Sequence, residues 1–191
     1  VLSAVVAARG ALNVGVNYSL EIWFVEDDPQ FQTYQEFQQD YGNDEVVVLA
    51  LRAEDGILNQ EGMDQLHRLT ATAESIDGIA EATSLAKARG LDGGDEGLDI
   101  SALYHPDQPV SSEQLHTRVT GNPLLMGRLL SEDTKTALVI AKMSATEEID
   151  AVRDGVLAEL RAAVTATGLP VRTAGMGVIY SALNELSMQD S

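Results

Sequence analysis

"TALVIAKM" (residues 136–143) is followed by a long mixed stretch and then by "PVRTA" (residues 170–174). The first segment is short, apolar and partly β-branched, which predicts a strand. Ile149, Val152, Val156, Leu160 and Val164 then recur at helical spacing and mark the inner face of a helix over about 147–166, which Gly168 ends. "PVRTA" returns as a short strand. The same order occurs earlier in the chain. "EVVVLAL" (residues 45–51) is continuously apolar, as expected of a strand covered on both faces. Met63, Leu66, Leu69, Ala73 and Ile76 define an amphipathic helix that stops before Gly78, and "IAEATSL" (residues 79–85) alternates as a strand. Two βαβ units in one chain predict an α+β fold, with both helices packed on one face of an antiparallel sheet. This is the split βαβ, or ferredoxin-like, arrangement, and the right-handed crossover rule makes it the economical topology.

The segments around these units are less regular. "ARGLDGGDEGLD" (residues 88–99) is rich in Gly and Asp and reads as a loop. "SSEQLHTRVT" (residues 111–120) predicts a short helix capped by Ser111 or Ser112, and "NPLLMGRLLSEDTKT" is an apolar patch and a polar turn that open the next strand. An insertion of this length in a compact domain is usually functional or mobile. Upstream, Asp28 and Pro29 suit the start of a helix and Gly42 its end. Phe31, Tyr34, Phe37 and Tyr41 fall on one side of that helix, which predicts that they face the sheet as buried core. Near the C-terminus, "GMGVIYSALNELSMQDS" predicts a helix leaving the sheet, with Val178, Ala182 and Leu186 on one side. The opening "VLSAVVAA" has three readings: a buried strand, a signal-peptide scar, or the last turns of a membrane helix.

Composition narrows the function classes. Thirty acidic residues against twelve basic ones give a net charge of −18, which excludes a phosphate-neutralising nucleic-acid surface. Nine of those basic residues are Arg and three are Lys; with the acidic excess, this fits a halophilic surface kept hydrated and screened in high salt. The 191 residues, 45% of them hydrophobic, are enough for one large domain or two small ones with a real core. The absence of Cys excludes disulfides, thiolate nucleophiles and Cys-type zinc sites.

The remaining chemistry is sparse. His67, His105 and His116 have no ligand partner at metal-binding spacing, and His67 reads as a helix-flank residue. "GGDEGLD" (residues 93–99) misses both the repeat-in-toxin and EF-hand calcium patterns and reads as a solvated acidic loop. "GMGVIY" (residues 175–180) has Tyr180 where a dinucleotide fingerprint needs its third Gly. No G-x-S-x-G nucleophile motif occurs. The expectation is a non-enzyme without catalytic, cofactor-binding or metal-ligating residues.

One longer pattern stands out. Trp23-Phe24, the acidic turn Asp27-Asp28-Pro29, a helix, Tyr41-Gly42-Asn43-Asp44-Glu45 and a strand from Val46 follow in that order. This resembles the segment after the first transmembrane helix in exporters of the resistance-nodulation-division superfamily, in the MMPL-type or hydrophobe/amphiphile branch. "DGIAEATSLAKA" is similar to a strand of that family. "NPLLMGRLLSEDTKTALVIAKM" is similar to its opening of the second βαβ unit, with Thr134 in place of a common Gly. "VRTAGMGVIYSALNELSMQD" resembles its strand end and linker helix, although Met176-Gly177 departs from the family's Gly-x-Pro form. Together these motifs cover most of residues 13–190.

The resemblance implies the first extracytoplasmic loop of a longer, proton-driven inner-membrane exporter of lipids or other amphiphiles. Residues 1–12 would be the remnant of a preceding membrane helix or linker, 13–175 a porter domain, and 176–191 an exit helix toward the next span. Within the porter domain the βαβ units would occupy about 44–86 and 134–175, around an insertion at 87–133. The partner would be the second extracytoplasmic loop of the same transporter, and the membrane would be met through flanking helices outside this chain. The proton-relay carboxylates would lie in those spans. Leu103, Tyr104, Leu124, Leu125 and Met126 in the insertion are the candidates for a substrate path or partner contact. The alternative is a free-standing ferredoxin-like ligand-binding or sensor module, working as a homo-oligomer.

Overall fold

The computed structural model of the chain describes residues 28–41, 45–94, 97–145 and 149–189. In chain order its elements are α1 (Pro29–Tyr41), β1 (Val46–Arg52), α2 (Gln60–Glu74), β2 (Ile79–Ser84), β3 (Arg89–Gly94), β4 (Gly97–Ala102), α3 (Ser112–Thr120), β5 (Thr136–Met143), α4 (Ile149–Ala166), β6 (Val171–Ala174) and α5 (Met176–Gln189). A short 3-10 turn, Leu85–Lys87, follows β2.

Four strands make the main sheet, in the spatial order β2-β5-β1-β6. β5 and β6 flank β1, both antiparallel to it, and β2 runs antiparallel to the far side of β5. The two strands of each βαβ unit are therefore parallel and separated by one strand of the other unit. This is the split βαβ arrangement expected from the pattern of elements.

The sheet buries one face. Val47, Leu49 and Leu51 of β1, with Ala137, Val139, Ala141 and Met143 of β5, share one core cluster with Met63, Leu66, Leu69 and Ala73 of α2 and with Val156, Leu157 and Leu160 of α4. On the other face Val46, Val48, Ala50, Leu138 and Ile140 are only half-buried. The helix α2 begins where Asn59 Oδ1 accepts the Gly62 N–H at 2.9 Å. Such a cap is worth about 1 kcal/mol. Met63, Leu66 and Leu69 each contribute roughly 1.5–3 kcal/mol by burial, so packing and not capping holds the helix to the sheet. For α3, the choice of cap falls on Ser111, which forms a reciprocal capping box with Gln114.

Two expectations are corrected. The Gly- and Asp-rich stretch expected as a solvated loop is instead the hairpin β3–β4, paired from Arg89↔Ala102 to Gly94↔Gly97, with residues 95–96 at its tip outside the described residues. Glycine lowers strand propensity, but hairpin pairing and anchoring at the base outweigh it. That anchoring is the Leu103 N–H donated to the Ala88 carbonyl at 3.0 Å, together with the side chain of Arg118 on Ser101.

The second correction concerns α1. It starts as expected, with the Gln30 N–H donated to Asp28 Oδ1 at 2.8 Å. Its rings, however, are not in the core: Phe31 and Tyr34 are half-buried and Phe37 is 50% exposed. The Tyr41 side chain, Gly42 and residues 1–27 lie outside the described residues. The helix layer that closes the sheet is already supplied by α2 and α4, so the aromatic stripe of α1 is not needed there.

The turn into β5 carries an unusual backbone. Thr134 has φ +58°, the only non-glycine residue with positive φ among the described residues. A β-branched residue in the left-handed region is disfavoured. It is held there because its carbonyl accepts the Ile57 N–H at 2.9 Å and its own N–H reaches the Ser131 carbonyl at 2.9 Å.

Candidate functional site

The insertion is fastened to α2. The Tyr104 hydroxyl donates to Asp64 Oδ1, an oxygen that also accepts from Gln60 Nε2 at 3.1 Å. Gln60 Oε1 in turn accepts the Val110 N–H at 3.1 Å. The rings of Tyr104 and His67 lie 5.8 Å apart and tilted, so His67 stays on the flank of its helix. Burial, then the bond to Asp64 and its charge, push the Tyr104 phenol up to about 12. A phenol held neutral in this way is a fastener and a poor general base. From the other side, Arg118 of α3 donates to Ser101 Oγ at 2.7 Å and to the Ala102 carbonyl at 3.5 Å, tying that helix to the hairpin.

This arrangement sorts the candidate residues. Leu103, Tyr104 and Leu125 are buried in the main core cluster, and Met126 packs half-buried against it. Leu124 points outward and is 63% exposed. None of the five lines the open cleft of about 500 Å3 beside α3, whose walls are Val110, Glu113, Gln114, Thr117 and Arg118. That cleft offers one guanidinium, one carboxylate and neutral polar groups. It holds no nucleophile with an adjacent base.

A second cluster escaped the sequence reading. Glu45, immediately before β1, is 5% exposed and Arg153 of α4 is 1% exposed. Arg153 Nε donates to Glu45 Oε2 at 2.7 Å and Nη2 donates to Oε1, a fork-to-fork pair. The guanidinium also lies over the ring of Tyr180 from α5, 5.2 Å from its centre. The signal was present in the sequence. Arg153 sits four residues after Ile149 and three before Val156, and it takes the inward place expected of Val152, which is instead 39% exposed. A charge at such a position needs a buried partner, but nothing in a linear pattern names Glu45, 108 residues away.

Among the described residues no group of three or more His, Asp or Glu side chains could hold a metal ion. No helix among them is long and apolar enough to cross a membrane. No family model matches the chain, and no curated protein sequence matches it either. The resemblance set out above therefore rests on its own motifs.

Proposed function

We propose that the chain is an extracytoplasmic, porter-type domain of a proton-driven inner-membrane exporter of the resistance-nodulation-division superfamily, shaping the path of a lipid or other amphiphile. The observation that carries this reading is α5. It follows β6 through Gly175, carries one formal charge in its 14 residues (Glu185), and beyond Ser181 exposes every described side chain: Ala182, Leu183, Glu185 and Leu186. A nearly uncharged helix leaving the body of an otherwise acidic domain suits a connection to an apolar phase.

Two further points support it. Thr134 adopts the positive φ for which the family's Gly is suited. The split βαβ sheet is the fold the resemblance implies. In this reading the domain catalyses no reaction, binds no cofactor, and pairs with the second loop of the same transporter. Leu124 and Met126 would face the path or that partner, whereas Leu103, Tyr104 and Leu125 belong to the core.

The full-length gene tests the proposal. About 20 consecutive apolar residues before Val1 and after Ser191 are expected; polar flanks or a stop codon there would sink it. Titration with lipid vesicles, followed by the fluorescence of Trp23, then asks whether the path lies in this domain. An unchanged spectrum would move the path elsewhere. The half-buried sheet face of Val46, Val48, Ala50, Leu138 and Ile140 favours the second reading, a free-standing module that dimerises through its sheet. Sedimentation of the chain as a stable dimer, with polar flanks in the gene, would select it.

A further inference from the structure

The first half of α5 is seated and the second half is not. Gly177 and Tyr180 are buried and Val178 packs against the core, whereas from Ala182 onward the described side chains are exposed. At 1.5 Å per residue, the helix is about 21 Å long, so a small tilt at its base becomes a large displacement at its end. Whatever fixes that base sets where the helix points.

Four contacts meet there. Gly175 has φ +117°, and a Cβ on it would lie 2.1 Å from the Val46 carbonyl oxygen, so the chain passes hard against the first residue of β1. A Cβ on Gly177 would lie 3.4 Å from Val47 Cγ2 and Met143 Sδ and 3.7 Å from Glu45 Oε2, which places the first turn of α5 directly over the Glu45 carboxylate. One turn on, Tyr180 covers the Arg153 guanidinium. The Ser181 hydroxyl then donates to Asp154 Oδ1, beside Arg153 on α4. Glu45 is itself fixed, since its backbone carbonyl accepts the Met143 N–H at 2.9 Å.

A buried ion pair is a costly way to gain stability, because desolvation offsets most of the attraction. Its directional, bidentate geometry is what an apolar contact lacks. We infer that Glu45, Arg153 and Tyr180 are positioning residues that form a rigid joint, through which tilting of α5 is transmitted to the end of β1 and to α4. This rests on the porter-domain reading only for what would drive the tilt; the joint itself is a property of the isolated chain.

The chain has no Cys, so spin labels can be placed at will. One pair, on Glu159 of α4 and Leu186 of α5, reads the helix direction by pulsed dipolar spectroscopy; a second, on Ala71 of α2 and Glu159, reads the body. All of these positions are exposed. Tyr180→Leu leaves the Glu45–Arg153 pair intact and is expected to broaden the first distance distribution about twofold and leave the second unchanged, as loss of one orienting cation–π contact would. Tyr180→Phe, which keeps a ring over Arg153, is expected to restore the narrow distribution. If Tyr180→Leu leaves the first distribution narrow, if both pairs broaden together, or if Tyr180→Phe broadens it as much as Leu, the joint is overturned. The gene-flank test can fail while this one succeeds, and the reverse, so the two proposals fall separately.

Discussion

The two crossover helices and the two flanking helices carry similar apolar stripes and meet different fates. In α2, Met63, Leu66, Leu69 and Ala73 are buried, and in α4 so are Val156, Leu157 and Leu160. In α1, Phe37 is half exposed, and in α5, Ile179, Leu183 and Leu186 all remain in solvent, Leu186 at 59%. Periodicity shows that a helix has an apolar side. What covers that side depends on how many helices the sheet can accept, and two crossovers fill the layer.

The contrast can be broken first at Arg153. Arg153→Met strands Glu45 as an unpaired buried charge and is expected to destabilise by about 3–5 kcal/mol, read from urea unfolding. Adding Glu45→Leu should restore most of that loss; a double variant no better than the single one would mean the pair is not what α4 depends on. Next comes Leu66→Ala in α2, expected to cost about 3 kcal/mol through the cavity it leaves. A cost as small as that of a surface change would remove the distinction between crossover and flanking helices.

Tyr104→Phe tests how the insertion is held, and should cost about 1 kcal/mol at neutral pH for the lost hydrogen bond. It also has a pH signature. The folded phenol titrates near 12, above its ordinary value of 10. Stability from this group is therefore complete below pH 10 and is lost as pH rises from there through about 12. Unfolding curves across that window should show the loss in the wild-type chain and not in Tyr104→Phe. Thr134→Gly should stabilise by about 1 kcal/mol by relieving the left-handed backbone; a destabilised variant would mean the surrounding turn compensates fully for the strain. Smallest of all, Leu186→Ser should change stability by less than about 0.5 kcal/mol. A loss like that of Leu66→Ala would show that the end of α5 is packed after all.

Much of the fold could be read in advance because its signals are local. "TALVIAKM" became β5 without a change of boundary, and the helix expected over about 147–166 appears as Ile149–Ala166. The hairpin β3–β4 could not be read, because its strands are Gly-rich and owe their pairing to each other and to Arg118 more than to intrinsic propensity. The candidate residues were harder still. Leu103, Leu124 and Leu125 look alike in a sequence, yet two are core and one is exposed: Leu103 is set by the base of the β3–β4 hairpin, and the turn after Asn122 sends Leu125 inward and Leu124 outward.

By itself, the sequence determined the two βαβ units, the order of the helices and strands outside the β3–β4 hairpin, and the acidic, cysteine-free composition, because spacing is a signal carried over a few residues at a time. The tertiary structure alone decided that Glu45 would meet Arg153 across the chain, that α1 would stay out of the core, and that α5 would be seated at one end only. Those outcomes depend on competition for one sheet face and on the cost of leaving a buried charge without a partner. Both are settled only when distant segments pack together.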